Sequence, residues 1–256
     1  RGSLGEAFRK ALGRAPEVRD DGEPLSYRFA AIGLVVGIIA AYLWLVAAGM
    51  TPGFAGLFMV FFIAICLVLT RIIAEAGMLM IHLSFWPVHY LLMFGGSTVV
   101  GPSNLTVLTF VDCALTFDLR EFLMPSALNG FRLAEQAGVA SRRLTRVLAV
   151  ALVFCLVISV PIFLLTFYLP GAIQVGNVVE LAYHPRNFFA TLGTRLQNPE
   201  RPAALDYVSM GIGGAIVGAL AWLRLNYVWW PIHPLGFVMA TSWASLNLWF
   251  SLFLGW

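Results

Sequence analysis

The sequence predicts an all-α, polytopic transmembrane helix bundle with broken or re-entrant helical hairpins. Two observations carry this. The first is run length: residues 29–70, 76–111, 147–179, 207–223 and 225–256 contain no Asp, Glu, Lys or Arg. A bilayer core about 30 Å thick needs roughly 20 apolar residues per helix at about 1.5 Å rise each. A soluble domain of 256 residues could not hide so much uncharged chain. The second is composition, 60% hydrophobic and only 11% charged, against roughly 25% charged in soluble domains. The 24 glycines suit close helix packing in lipid.

Residues 1–28 hold six basic and five acidic residues and are expected on the cytoplasmic membrane surface. Leu4, Phe8 and Leu12 there share one face of a short amphipathic helix. Asp20-Asp-Gly-Glu-Pro24 reads as a turn. Residues 29–256 then form a single transmembrane bundle. A first span from Phe29 to Ala48 presents Gly33 and Gly37, a GxxxG face for close helix contact. Gly49-Met-Thr-Pro-Gly53 turns the chain into a second span, Phe54 to Thr70, which Arg71 ends. Residues 72–116 contain Pro87, Gly95-Gly96 and Gly101-Pro-Ser-Asn104, too many breakers for one clean span. Irregular backbone at membrane depth must line a cavity or be wrapped by protein, so this stretch reads as a helical hairpin, either two short spans or a re-entrant loop.

Residues 117–146 are net basic and read as an amphipathic cytoplasmic connection, with a helix started by Pro125-Ser126 and ended by Gly138. Ser141 is placed as the N-cap of a helix continuing into the third span, Val147 to Tyr168, where Pro161 should introduce a kink. Residues 171–206 read as an extracytoplasmic loop of balanced charge. The fourth span, Tyr207 to Trp229, carries a second GxxxG at Gly214 and Gly218. Trp230-Pro-Ile-His-Pro234 breaks the chain again before the last apolar segment. Placing both net-basic segments in the cytoplasm closes without contradiction if residues 72–116 cross an even number of times. The chain lacks an initiator Met and stops inside an apolar run, so it is expected to be part of a longer chain.

The net charge of +3 is too mild and too dispersed for nucleic acid as a partner. Cys66, Cys113 and Cys155 are isolated in apolar surroundings and read as buried small hydrophobes. No Walker A, GxSxG or GxGxxG motif is present. The chain is therefore read as a non-enzyme with no cofactor, and energy for any transport would come from an ion gradient or a partner chain.

Charged groups inside apolar runs are the first functional candidates, because they are costly there. Arg71 and Glu75 stand four apart on one helical face, either anchoring the interface or marking the mouth of a substrate path. Asp112 has no basic residue within seven positions. Such a carboxylate pairs with a distant Arg, binds a cation or titrates with a raised pKa. His82 and His89 share a face if their helix is continuous. With His184 and His233 scattered elsewhere, no metal site is expected, and a hydrogen-bonding or proton-relay role is preferred. The breakers themselves, including Ser103 and Asn104, offer backbone and small polar groups of the kind that form transporter sites. They are equally compatible with interfacial loops whose belt aromatics are Trp86, Tyr90, Trp229 and Trp230.

Glu23-Pro-Leu-Ser-Tyr-Arg28, Thr70-Arg-Ile-Ile-Ala-Glu-Ala-Gly77 and Trp230-Pro-Ile-His-Pro-Leu-Gly236, followed by Ser242-Trp243, resemble a group of bacterial membrane proteins that is itself similar to the oligopeptide transporter superfamily. The resemblance covers most of the chain and corresponds to the C-terminal portion of such a protein. It implies proton-coupled uptake of peptides or metal chelates across the bacterial inner membrane, and it carries over no catalytic residues.

The resulting expectation is an ion-gradient-driven transporter of small solutes, or a fragment of one. The alternative is a structural or accessory subunit of a larger membrane complex. Its partners would be membrane lipid, the rest of a longer chain or other membrane subunits, and a small-molecule substrate. At least one of Glu75 and Asp112 should face a polar cavity, bordered by residues 95–104 and 231–236.

Overall fold

Length and hydropathy decide the first level of structure. Among the described residues, four helices are long and apolar enough to cross a membrane: α1 (Tyr27–Ala47), α2 (Pro52–Ala76), α6 (Ser141–Tyr168) and α8 (Ala204–Asn226). Between and after them come α3 (Pro87–Val100), α4 (Pro102–Val111) with a π-helical turn at Asp112–Thr116, α5 (Leu123–Gln136), α7 (His184–Gln197), α9 (Pro234–Met239) and α10 (Trp243–Gly255). These come from a computed structural model that describes residues 5, 9–10, 23–76, 86–117, 122–169, 171, 183–227, 229–240 and 242–255. The protein is all-α, with no strand among the described residues. The chain divides into two units, Arg1–Leu45 with Ala127–Asn187, and Val46–Ser126 with Phe188–Trp256.

In the first unit the entry to α1 is fastened by local polar contacts. Tyr27 donates its hydroxyl to Glu23 Oε1 at 3.0 Å, and Arg142, in the first turn of α6, donates to the Glu23 carbonyl at 3.3 Å. The apolar stretch of α6 is exposed along its whole length. In water that face would be intolerable; its natural solvent is lipid or another protein. α6 carries Pro161 within it.

The second unit holds the core. Ile65, Leu69, Ile72 and Ile73 of α2 are buried, with Phe62, Tyr90, Phe122, Leu235, Val238 and Met239 packed around them. Phe61 of α2 stacks on Tyr90 and Phe94 of α3, with ring centroids 5.5 and 5.8 Å apart. α3 and α4 are about 21 and 15 Å long at 1.5 Å per residue, each short of a hydrocarbon core of roughly 30 Å. They are two short helices separated by a break, where the sequence places its glycines and prolines. The break between them is Gly101, whose φ of 79° and ψ of 162° suit glycine alone, and Pro102 starts the next helix without a donor to lose.

Ser103 and Asn104 tie this break to the turn between α1 and α2. Ser103 donates to the Gly49 carbonyl at 2.8 Å. Buried Asn104 accepts from the Thr51 amide at 2.8 Å and the Thr51 hydroxyl at 3.2 Å, and donates to the Val100 carbonyl at 2.7 Å. Both side chains are committed to closing the backbone, which corrects their placement on a substrate path.

Other expectations are corrected as well. α2 continues through Arg71 to Ala76, because Ile72 and Ile73 still have a core to fill. Ala140, in extended conformation, precedes α6, so Ser141 is its first residue and not its cap. Residues 171–206 contain the 14-residue helix α7. A side chain added at Gly33, Gly37, Gly214 or Gly218 would meet nothing within 4 Å, so these glycines make no close helix contact among the described residues. Only Cys66 of the three cysteines is buried, while Cys113 is partly and Cys155 fully exposed. The amphipathic face of Leu4, Phe8 and Leu12 lies outside the described residues.

Asn104→Leu should lower stability by about 2–3 kcal/mol, because it leaves the Thr51 amide and the carbonyl of buried Val100 without their partner. Ser103→Ala, with one exposed bond lost, should cost about 1 kcal/mol or less. Unfolding in detergent micelles measures both, and equal losses would contradict the assignment.

Candidate functional site

A helix that breaks in lipid must find other partners for the peptide groups it releases. α3 breaks at Gly96, where φ is 63° and ψ 172°. Four residues earlier each helical carbonyl would meet an amide, but past this point the register is lost. The segment between α7 and α8 fills the gap. The Ser97 amide donates to the Glu200 carbonyl at 3.0 Å, and the Glu200 amide donates to Ser97 Oγ at 2.7 Å. The hydroxyls of Ser97 and Thr98 reach the same carbonyl at 3.4 and 3.5 Å. Tyr207, in the first turn of α8, donates to the Phe94 carbonyl at 3.2 Å. The approach is so close that a Cβ at Gly96 would lie 2.5 Å from the Glu200 carbonyl oxygen and 2.9 Å from Pro202 Cδ.

α7 reaches this point by lying along α3 and α4. Phe188 packs against Trp86 and Phe117 at 6.5 and 5.2 Å, and Phe189 against Phe110 at 4.9 Å. Phe188 thus meets Trp86, just before α3, and Glu200, just after α7, meets Ser97 near the end of α3.

Between α3, the end of α7 and the start of α8 lies a cavity of about 720 Å³. Its polar lining comes from His89 and Ser97 on α3, Arg195 on α7, Glu200 and Arg201 on the connecting segment, and Asp206 and Ser209 on α8. Met93, Met210 and Leu92 supply apolar surface. Arg195 is only 26% exposed and its Nε stands 3.9 Å from Glu200 Oε2, whose own side chain is 68% exposed. Asp206 accepts from the Ala203 amide at 3.4 Å, capping α8. Trp86 stacks on His89 at 4.8 Å. The cavity therefore offers two guanidinium groups, two carboxylates and an imidazole within an apolar frame, a setting that holds a small polar or charged solute.

The candidates read from the sequence divide around this cavity. His89 lines it. Asp112 is buried in the π-helical turn and accepts from the Thr116 hydroxyl at 2.6 Å. It does not line the cavity, although the Arg195 charge acts on both Asp112 and His89. Arg71 and Glu75 pair with each other at 2.8 Å, with exposed side chains and away from the cavity. His233 caps α9, its Nδ1 accepting from the Leu235 amide at 3.1 Å. Residues 231–236 accordingly serve to start a helix and do not border the cavity, contrary to expectation. His82 lies outside the described residues. Among those residues no three His, Cys, Asp or Glu side chains gather as metal ligands.

Arg195, Glu200, Arg201 and Asp206 are not singled out by the sequence because residues 171–206 have the balanced charge of a loop, and Tyr207 reads only as the start of the fourth span. The signal was present in His184-Pro185, a helix start, and in Phe188 and Leu192 at i,i+4 spacing.

The sequence matches the family described as "Family of unknown function (DUF6785)" over residues 1–256, and the chain belongs to that family. No curated protein and no solved structure matches it.

Two adjacent glycines should respond differently to alanine. Gly96→Ala forces a side chain into backbone at a positive φ and should cost at least about 2 kcal/mol. Gly95→Ala meets the side chains of Val99 at 3.4 Å and Val100 at 3.8 Å and should stay within about 0.5 kcal/mol of the parent. Equal melting temperatures for the two variants would show that the break is not held as described.

Proposed function

We propose that this member of the family is a secondary membrane transporter, or the part of one that carries the solute site, driven by an ion gradient. One observation supports this most: a cavity with charges of both signs lies against a broken membrane helix whose free backbone groups are closed by a neighbouring segment. Discontinuous helices beside a polar cavity are how many secondary transporters hold solute and coupling ion. The sequence resemblance to proteins similar to oligopeptide transporters gives the solute class, peptides or metal chelates, and the bacterial cytoplasmic membrane as location. The buried Asp112 carboxylate, with Arg195 acting on it from the cavity wall, is the group proposed to exchange a proton during the cycle.

A second reading, an accessory subunit, draws on the exposed apolar length of α6 and α8, in which no residue of the spanning window is buried. Such faces fit protein partners as well as lipid.

Uptake of labelled di- and tripeptides into proteoliposomes, with and without a proton gradient, separates the two. A transporter gives gradient-dependent accumulation, and Asp112→Asn, which keeps shape and removes the titratable charge, reduces it to the level of protein-free vesicles. Absence of flux from the full-length protein supports the accessory subunit. Normal uptake by the Asn variant removes Asp112 from the coupling role.

A further inference from the structure

We propose that residues 198–203, between α7 and α8, are a gate over the cavity, latched to α3 by the backbone amide and carbonyl of Glu200. The inference rests on reading the cavity as a solute site, but its geometry stands independently. The segment is non-helical between two helices of 14 and 23 residues, so it can move while they stay intact. Glu200, Arg201 and Pro202 form one wall of the cavity, and Gly96 and Ser97 lie opposite in the same lining. Parting these two walls opens the cavity without unfolding a helix.

The latch is built for reversibility. It uses the Glu200 carbonyl and amide against Ser97, a reciprocal pair at 3.0 and 2.7 Å, and no apolar side chain of the segment is buried in it. Gly96 sets the closed distance, since any side chain there strikes the Glu200 carbonyl. Arg195 stands at 3.9 Å from the Glu200 carboxylate, and that carboxylate is mostly exposed. A solute that draws Arg195 inward therefore loosens the segment's second attachment, connecting occupancy to opening.

The test needs no known solute. In a full-length background with Cys66, Cys113 and Cys155 replaced, Met93→Cys places a reporter thiol at a part-buried position of the cavity wall. Its labelling by a membrane-impermeant maleimide is followed in proteoliposomes. Adding Ser97→Cys and Glu200→Cys and oxidising them should form a disulfide, seen by mass, and slow reporter labelling severalfold, with recovery on reduction. Gly96→Ala alone should speed it severalfold. A disulfide that forms yet leaves labelling unchanged overturns the gate, as does failure of the two thiols to cross-link. If Gly96→Ala does not fold, the disulfide experiment decides alone. Gating without peptide flux would leave the gate standing and remove the transporter reading.

Discussion

Lipid gives a peptide group nothing to bond to, and the broken half of this protein is organised around that constraint. A continuous helix such as α6 answers it internally and can stand with its apolar side chains exposed. α3 and α4 cannot, because Gly96 and Gly101 interrupt the ladder. Each interruption is met by a specific group from elsewhere in the chain. Glu200 and Tyr207 close the one at Gly96, and Ser103 and Asn104 bind the start of α4 to the turn at residues 49–51. An unpaired amide or carbonyl at these points would cost several kcal/mol in hydrocarbon, more than any surface contact here could supply.

The same constraint creates the cavity. Glycine at position 96 lets a second backbone approach closely, and that approach carries Arg195, Arg201, Glu200 and Asp206 to the side of α3. Glu200, Arg201 and Asp206 are exposed there, and several of the charged groups also have partners within the chain. Asp206 caps its own helix, Arg195 stands near Glu200, and Asp112 takes the Thr116 hydroxyl. Arg71 and Glu75, by contrast, neutralise each other in an exposed position, where such pairs contribute little.

Elements defined by periodicity and length were legible in the sequence. The four long helices lie largely within uncharged runs, although one run holds both α1 and α2 and another continues past the end of α6. The breaks at Gly96 and Gly101 were legible too, because glycine and proline announce them. What each break bonds to was not legible. The partner of Ser97 lies 103 residues away in a segment whose balanced charge resembles a loop, and nothing local to either stretch records the pairing. His233 illustrates the opposite error. A histidine between prolines in an apolar stretch suggests a site, yet its imidazole closes the first turn of a six-residue helix. Asp112 was recognised as unusual, but its separation from the cavity depends on how α7 packs against Phe110 and Phe117.

Amide hydrogen exchange at Ser97 tests the closed break most directly. The protein is labelled with nitrogen-15 and held in lipid nanodiscs, and exchange at Ser97 is compared with that at Leu91 and Val100 in the same helix. An amide bonded to the Glu200 carbonyl exchanges as slowly as its helical neighbours. Exchange at Ser97 as fast as in an exposed loop would mean that the break is open to water, and the arrangement of α3, the connecting segment and the cavity would have to be abandoned.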